Sequence, residues 1–153
     1  KHLKMLEVGN IVYFTPFYFP NGKSKSKPKY FVVLKVIDGK NILASLPTRN
    51  DYIPEKDTIK DGCVELKEIK LNCFVISENT TITQCGKMFD FPTHIYGHQL
   101  DTYDTKILND IYQIEGTDYE IFGKMNNNIF QSLIDCLKSS DSVKKKYIRV
   151  LNS

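Results

Sequence analysis

Tryptophan is absent from these 153 residues, methionine occurs three times and cysteine only four times. No two cysteines form a C-x-x-C pair, so neither a zinc ribbon nor a thioredoxin-type motif is supported. Cys63, Cys73, Cys85 and Cys136 each sit in an apolar or strand-like context. We therefore expect four buried, reduced thiols behaving as small hydrophobes, in a cytoplasmic protein, where disulfides are rare. No signal-peptide pattern is visible, and because the chain opens on Lys1 rather than Met we expect residues ahead of it. No run approaches the ~20 apolar residues that span a bilayer, so no membrane partner is expected. Excess charge is also small: 21 Lys and Arg against 18 Asp and Glu leave +3, too little for bulk charge to announce a nucleic-acid binder. Internal repeats and low-complexity linkers are missing as well.

What is present fits one ordinary globular domain, residues 1–153, long enough to bury a core. Nine Tyr and nine Phe suit a β-rich interior. The cationic charge is local. Residues 23–29 hold four lysines and no acid, and residues 144–149 hold four cations.

Residues 9–54 organise the rest. Three apolar, β-prone runs (11–19, 30–37 and 41–46) are separated by a Gly/Ser/Lys loop and by Asp38-Gly39. Asp-Gly is a strong hairpin signal, because a tight primed turn needs positive φ. Pro16 marks a bend, bulge or edge in the first run, since proline cannot donate to a ladder. Phe31-Val32-Val33-Leu34 is apolar on both faces and reads as a central strand. Pro47 ends regular pairing, and residues 48–51 form a rim turn. Residues 54–62 read as a polar loop.

Further along, residues 63–66, 71–77, 93–100 and 119–122 read as strands. Residues 105–112 read as a short helix with Asp104 as N-cap. Asn126, Asn127 and Asn128 offer caps for an amphipathic helix whose face is Ile129, Phe130, Leu133, Ile134 and Leu137. Residues 143–151 read as a last helix, apolar at Val143, Tyr147, Ile148 and Leu151.

Residues 9–54 resemble the opening of the PemK/MazF-like toxins of bacterial toxin–antitoxin systems. The shared order is Gly9-Asn10-Ile11-Val12-Tyr13-Phe14, Asn21-Gly22, Lys27-Pro28, Val32-Val33-Leu34, then Leu46-Pro47-Thr48. The resemblance implies a mainly β, α+β fold: a small SH3-like antiparallel β-barrel over about residues 8–100, with a helical C-terminal element over about 101–153. It implies a homodimer that cleaves single-stranded RNA without metal or cofactor, and an antitoxin protein that blocks the groove. In that chemistry a ribose 2′-hydroxyl attacks the adjacent phosphorus, which needs a base, a cation for the developing charge and an acid for the departing oxygen. Carried over, the catalytic positions become Lys27 (or Lys29) and Thr48. The family's usual basic residue is the arginine of an Arg-Pro pair; here it is lysine, which lacks the bidentate fork. Arg49 can supply that guanidinium from the same rim. Lys25 and Lys29 join them as substrate-binding candidates.

The histidines add a second set. His94, Tyr96 and His98 share one face if residues 93–100 are extended, and would line an RNA groove and titrate near neutrality. The competing reading is a pair of surface or hydrogen-bonded core histidines, and their spacing identifies no metal site. Two functional alternatives to the ribonuclease remain: a catalytically inactive barrel that binds RNA or protein, and an interaction protein that works through its C-terminal helices.

Overall fold

A strand with apolar residues at every position must be covered on both sides, and residues 31–34 meet that demand. The computed structural model describes residues 4–17, 27–47 and 61–153, with the backbone alone at Lys27. Its strands are β1 Asn10–Phe17, β2 Lys27–Ile37, β3 Lys40–Ser45, β4 Gly62–Leu66, β5 Leu71–Ile76, β6 Thr93–Tyr96, β7 Leu100–Asp104 and β8 Tyr119–Lys124. Its helices are α1 Thr105–Ile111, α2 Asn127–Lys138 and α3 Lys145–Leu151. The fold is α+β and mostly antiparallel strand, with two helices at the C-terminal end, as the sequence predicts.

Five strands pair in the order β7-β3-β2-β1-β8, and a second sheet runs β4-β5-β6. Strand β2 is the middle of the larger sheet. Phe31 and Val33 join Val12, Phe14, Phe17 and Leu43 in one cluster, covered by Leu108 and Tyr112 and by Met5 and Leu6 ahead of β1. Val32 and Leu34 join Ile11, Ile42 and Ala44 in another, with Phe74, Ile76 and Ile95 of the second sheet and Leu133 and Leu137 of α2. Alternation along one strand thus feeds two cores. Val32 and Val33 are fully buried, which stabilises the fold by about 1.5–3 kcal/mol for each such side chain.

Local signals behave as their chemistry dictates. Asp38 and Gly39 take φ of 51° and 74°, the two successive positive values of a primed hairpin turn. The Asp104 carboxylate accepts from the Ile107 N–H and caps α1. Asn126 accepts from the Asn128 N–H at 3.1 Å and starts α2, and Leu133, Ile134 and Leu137 of its apolar face are buried.

The structure departs from the sequence reading at several points. Among the described residues the larger sheet is unclosed, with β7 and β8 as its edges, which does not by itself make the expected barrel. Residues 101–153 are not simply a helical addition: β7 pairs with β3 and β8 pairs with β1. β8 covers the run over 119–122 that the sequence reads as a strand, whereas β7 lies almost wholly beyond the strand read over 93–100; the partner of each is far away in sequence, so no local pattern shows the pairing. Finally, Cys63 and Cys136 are joined in a disulfide with Cα atoms 5.5 Å apart, and Cys85 is exposed. Only Cys73 is the buried free thiol expected of all four, its pKa pushed up to about 12 by burial. A separation of 73 residues carries no spacing signal; packing α2 on β4 creates the pair.

The strand expected over 93–100 is also interrupted. β6 stops at Tyr96, a 3-10 turn spans Gly97–Gln99, and β7 then enters the other sheet. Gly97 makes that step possible. A Cβ there would lie 2.6 Å from both the Asn72 Oδ1 and the Val143 Cγ2. Among the described residues no helix is long and apolar enough to cross a membrane.

Gly97→Ala should therefore destabilise the protein by about 1–3 kcal/mol, the usual range for overpacking. Urea unfolding reads it as a lower midpoint at unchanged slope. An unaltered midpoint would mean that Asn72 and Val143 yield without cost.

Candidate nucleic-acid interface

Antiparallel register decides which side chains meet at the end of the larger sheet. Phe31 stands opposite Ser45 and Val32 opposite Ala44, so the start of β2 and the continuation of β3 leave the sheet at the same end. The Leu46 N–H donates to the Tyr30 carbonyl at 3.1 Å, and the His94 N–H donates to the Pro47 carbonyl at 2.8 Å. Pro47 therefore ties the two sheets together, and Thr48 follows it directly in the chain.

An aromatic ladder lines this end. Tyr13 and Tyr30 are cross-strand partners with ring centroids 4.3 Å apart. Tyr30 meets Phe89 and Phe122 edge-on at 5.0 and 5.8 Å. Phe89 stacks on Phe122 at 4.7 Å and on Phe91 at 5.0 Å. Phe89 is buried, while Tyr13, Tyr30, Phe91 and Phe122 are half-buried, so rings reach the surface as well as the core. The Lys87 ammonium lies 5.1 Å over the Phe122 ring, a cation–π contact. Burial is the main cause that raises the Tyr30 pKa, with Tyr13 and Glu120 adding to it. Like any tyrosine phenol it is protonated at neutral pH, where it can donate a hydrogen bond. Aromatic rings that reach the surface beside a lysine are among the elements on which single-stranded nucleic acids stack, because every base has a π-face.

The sequence-derived candidates are distributed unevenly. Lys25, Thr48 and Arg49 lie outside the described residues, as do the Lys-rich loop ahead of Lys27, the rim turn and the polar loop over 54–60. At Lys27 the backbone belongs to β2. Lys29 is half-buried, and its ammonium lies 5.7 Å from the Phe31 ring, on the opposite face of β2 from Tyr30. His94, Tyr96 and His98 do come together: the His94 and Tyr96 rings stack at 6.2 Å, and the Tyr96 and His98 rings lie 5.5 Å apart. His94 and Tyr96 are buried, on the face of the smaller sheet that also carries Cys73 and Val75. His98 is exposed at the 3-10 turn, and partial burial of its ring lowers its pKa. Among the described residues no three His, Cys, Asp or Glu side chains gather as metal ligands.

Sequence reasoning missed the ladder itself. Phe89 and Phe91 alternate with Asp90, but their partners Tyr30 and Phe122 come from strands far apart in the chain. The chain matches no family model, no curated protein and no solved structure.

The raised Tyr30 pKa has a stability consequence. A phenol whose folded pKa lies above its unfolded value of 10.0 stabilises the fold below that pH, and the contribution is lost as pH rises past it. Unfolding free energy should fall as pH rises above about 10, less steeply in Tyr30→Phe. The check is urea unfolding on both sides of that pH, and equal slopes for the two proteins would refute the assignment.

Proposed function

We propose that this chain is a metal-independent endoribonuclease of the PemK/MazF toxin type, cleaving single-stranded RNA by 2′-hydroxyl attack. The observation that carries the reading is the common end of β2 and β3, where the Lys27-Pro28 segment begins and Pro47 leads to Thr48, beside half-buried aromatic rings. Bases would stack on Phe91, Phe122 and Tyr30, while Lys27 and Arg49 neutralise phosphate charge and Thr48 helps to orient the reacting group. We read the open five-stranded sheet and the smaller sheet across the core as an opened version of an SH3-like barrel. A homodimer, an antitoxin protein covering this rim and a cytoplasmic site of action belong to the same proposal.

One feature favours a second reading, an RNA-binding module without cleavage. Lysine stands at the position where the resemblance leads one to expect arginine, and a point charge grips a phosphorane less firmly than a planar fork.

Incubation with single-stranded RNA in excess chelator tests both. The ribonuclease reading expects fragments ending in 2′,3′-cyclic phosphate, lost in the Lys27→Ala/Thr48→Ala double variant. The binding reading expects intact RNA and salt-sensitive retention. In either case Phe91→Ala should weaken RNA binding by about 1–3 kcal/mol, the value of one stacked base. Unchanged affinity would remove the ladder from the interface.

A further inference from the structure

The disulfide lies in the wall of a cleft, and its two residues differ in exposure. Cys63, in β4, is exposed, whereas Cys136, near the end of α2, is 3% exposed. The open cleft between β4 and α2 has a volume of about 630 Å³, and Cys63, Cys136, Phe74, Ile129, Ser132 and Asp135 are among its lining residues. That volume falls within the roughly 300–1,000 Å³ of small-molecule sites. Phe74 and Ile129 supply apolar walls. Among the described lining residues Asp135 alone is charged, with one carboxylate oxygen accepting from Gln131 Nε2 at 2.9 Å.

The surroundings of the inner sulfur suit a leaving group. Asn72 Nδ2 lies 3.5 Å from the Cys136 Sγ, a donor that would stabilise a thiolate there. The Cys73 carbonyl oxygen lies 4.0 Å from the same sulfur, an acceptor for the thiol once it is protonated. Both residues line the cleft, Cys63 as the exposed partner, and the Cys136 sulfur also faces fixed polar groups.

We propose that Cys63–Cys136 is an exchangeable disulfide and that the cleft admits a small thiol bearing an ammonium group. The incoming thiolate attacks the Cys63 Sγ and forms a mixed disulfide there. The Cys63–Cys136 bond breaks, its electron pair stays on the Cys136 Sγ, and that thiolate takes up one proton. No net oxidation or reduction occurs: one disulfide and one thiol give one disulfide and one thiol. Asp135 attracts the ammonium and disfavours thiols with net negative charge. Exchange would release the covalent tie between α2 and β4 while leaving their packing in place. The inference stands apart from the RNA reading and does not depend on it.

The test treats the folded wild-type protein with cysteamine and, separately, with reduced glutathione at equal thiolate concentration. Exchange is quenched in acid at early times, and adducts are mapped by mass spectrometry. The expected result is a cysteamine adduct on Cys63, a free thiol on Cys136 and several-fold faster exchange than with glutathione. Asp135→Asn, at an exposed helix position, should shrink that preference. An early adduct on Cys136, equal rates for the two thiols, or no exchange in the folded protein while the urea-unfolded chain reacts would each overturn the proposal.

Discussion

Burial of β2 on both faces is the constraint from which the rest of the architecture follows. A strand in the middle of an antiparallel sheet can leave one face to water only if that face is polar. Here Val32 and Leu34 point one way, and Phe31 and Val33 the other. Two separate sets of covering elements are therefore required. Helix α1 and the residues ahead of β1 close the aromatic side. The second sheet with α2 and α3 closes the aliphatic side.

The covers have to be held at a fixed distance, and polar contacts do this where apolar packing would leave freedom. The Pro47 carbonyl takes the His94 N–H and joins the sheets at one end. Glu65 works at the other side of the smaller sheet. Its carboxylate accepts from Asn72 Nδ2 at 3.0 Å, from Ser140 Oγ at 2.7 Å and from Ser142 Oγ at 3.1 Å. One side chain in β4 thereby anchors the link between α2 and α3. Each such charge-assisted bond contributes on the order of 1.5–3 kcal/mol, discounted here because Glu65 is only half-buried. The disulfide reinforces the same junction, so β4 and α2 are tied by covalent and polar contacts together.

The ladder at the common end of β2 and β3 shows how a surface arises as a by-product of packing. Phe89 is needed in the aliphatic core. Phe91 and Phe122 stack on it because flat rings fill a flat gap, and they come partly into solvent where the core thins. A row of half-covered rings next to Lys87 results. The same physics that closes the core leaves a face on which a planar ligand can lie.

Much of this was legible locally. The Asp38-Gly39 hairpin, the central position of residues 31–34, the Asp104 cap of α1 and the apolar stripe of α2 follow from φ preferences, capping chemistry and periodicity, which act within a few residues. The candidate site was legible only in outline. Pro47-Thr48 and Lys27-Pro28 could be assigned to strand ends, but not the rings that gather beside them. The disulfide, the placement of β7 and β8 as sheet edges, the crossing at Gly97 and the Tyr30–Phe89–Phe122 contacts belong to the tertiary structure. In each of these the partners are separated by tens of residues, and their meeting depends on how layers stack, a quantity that no local pattern of side chains encodes.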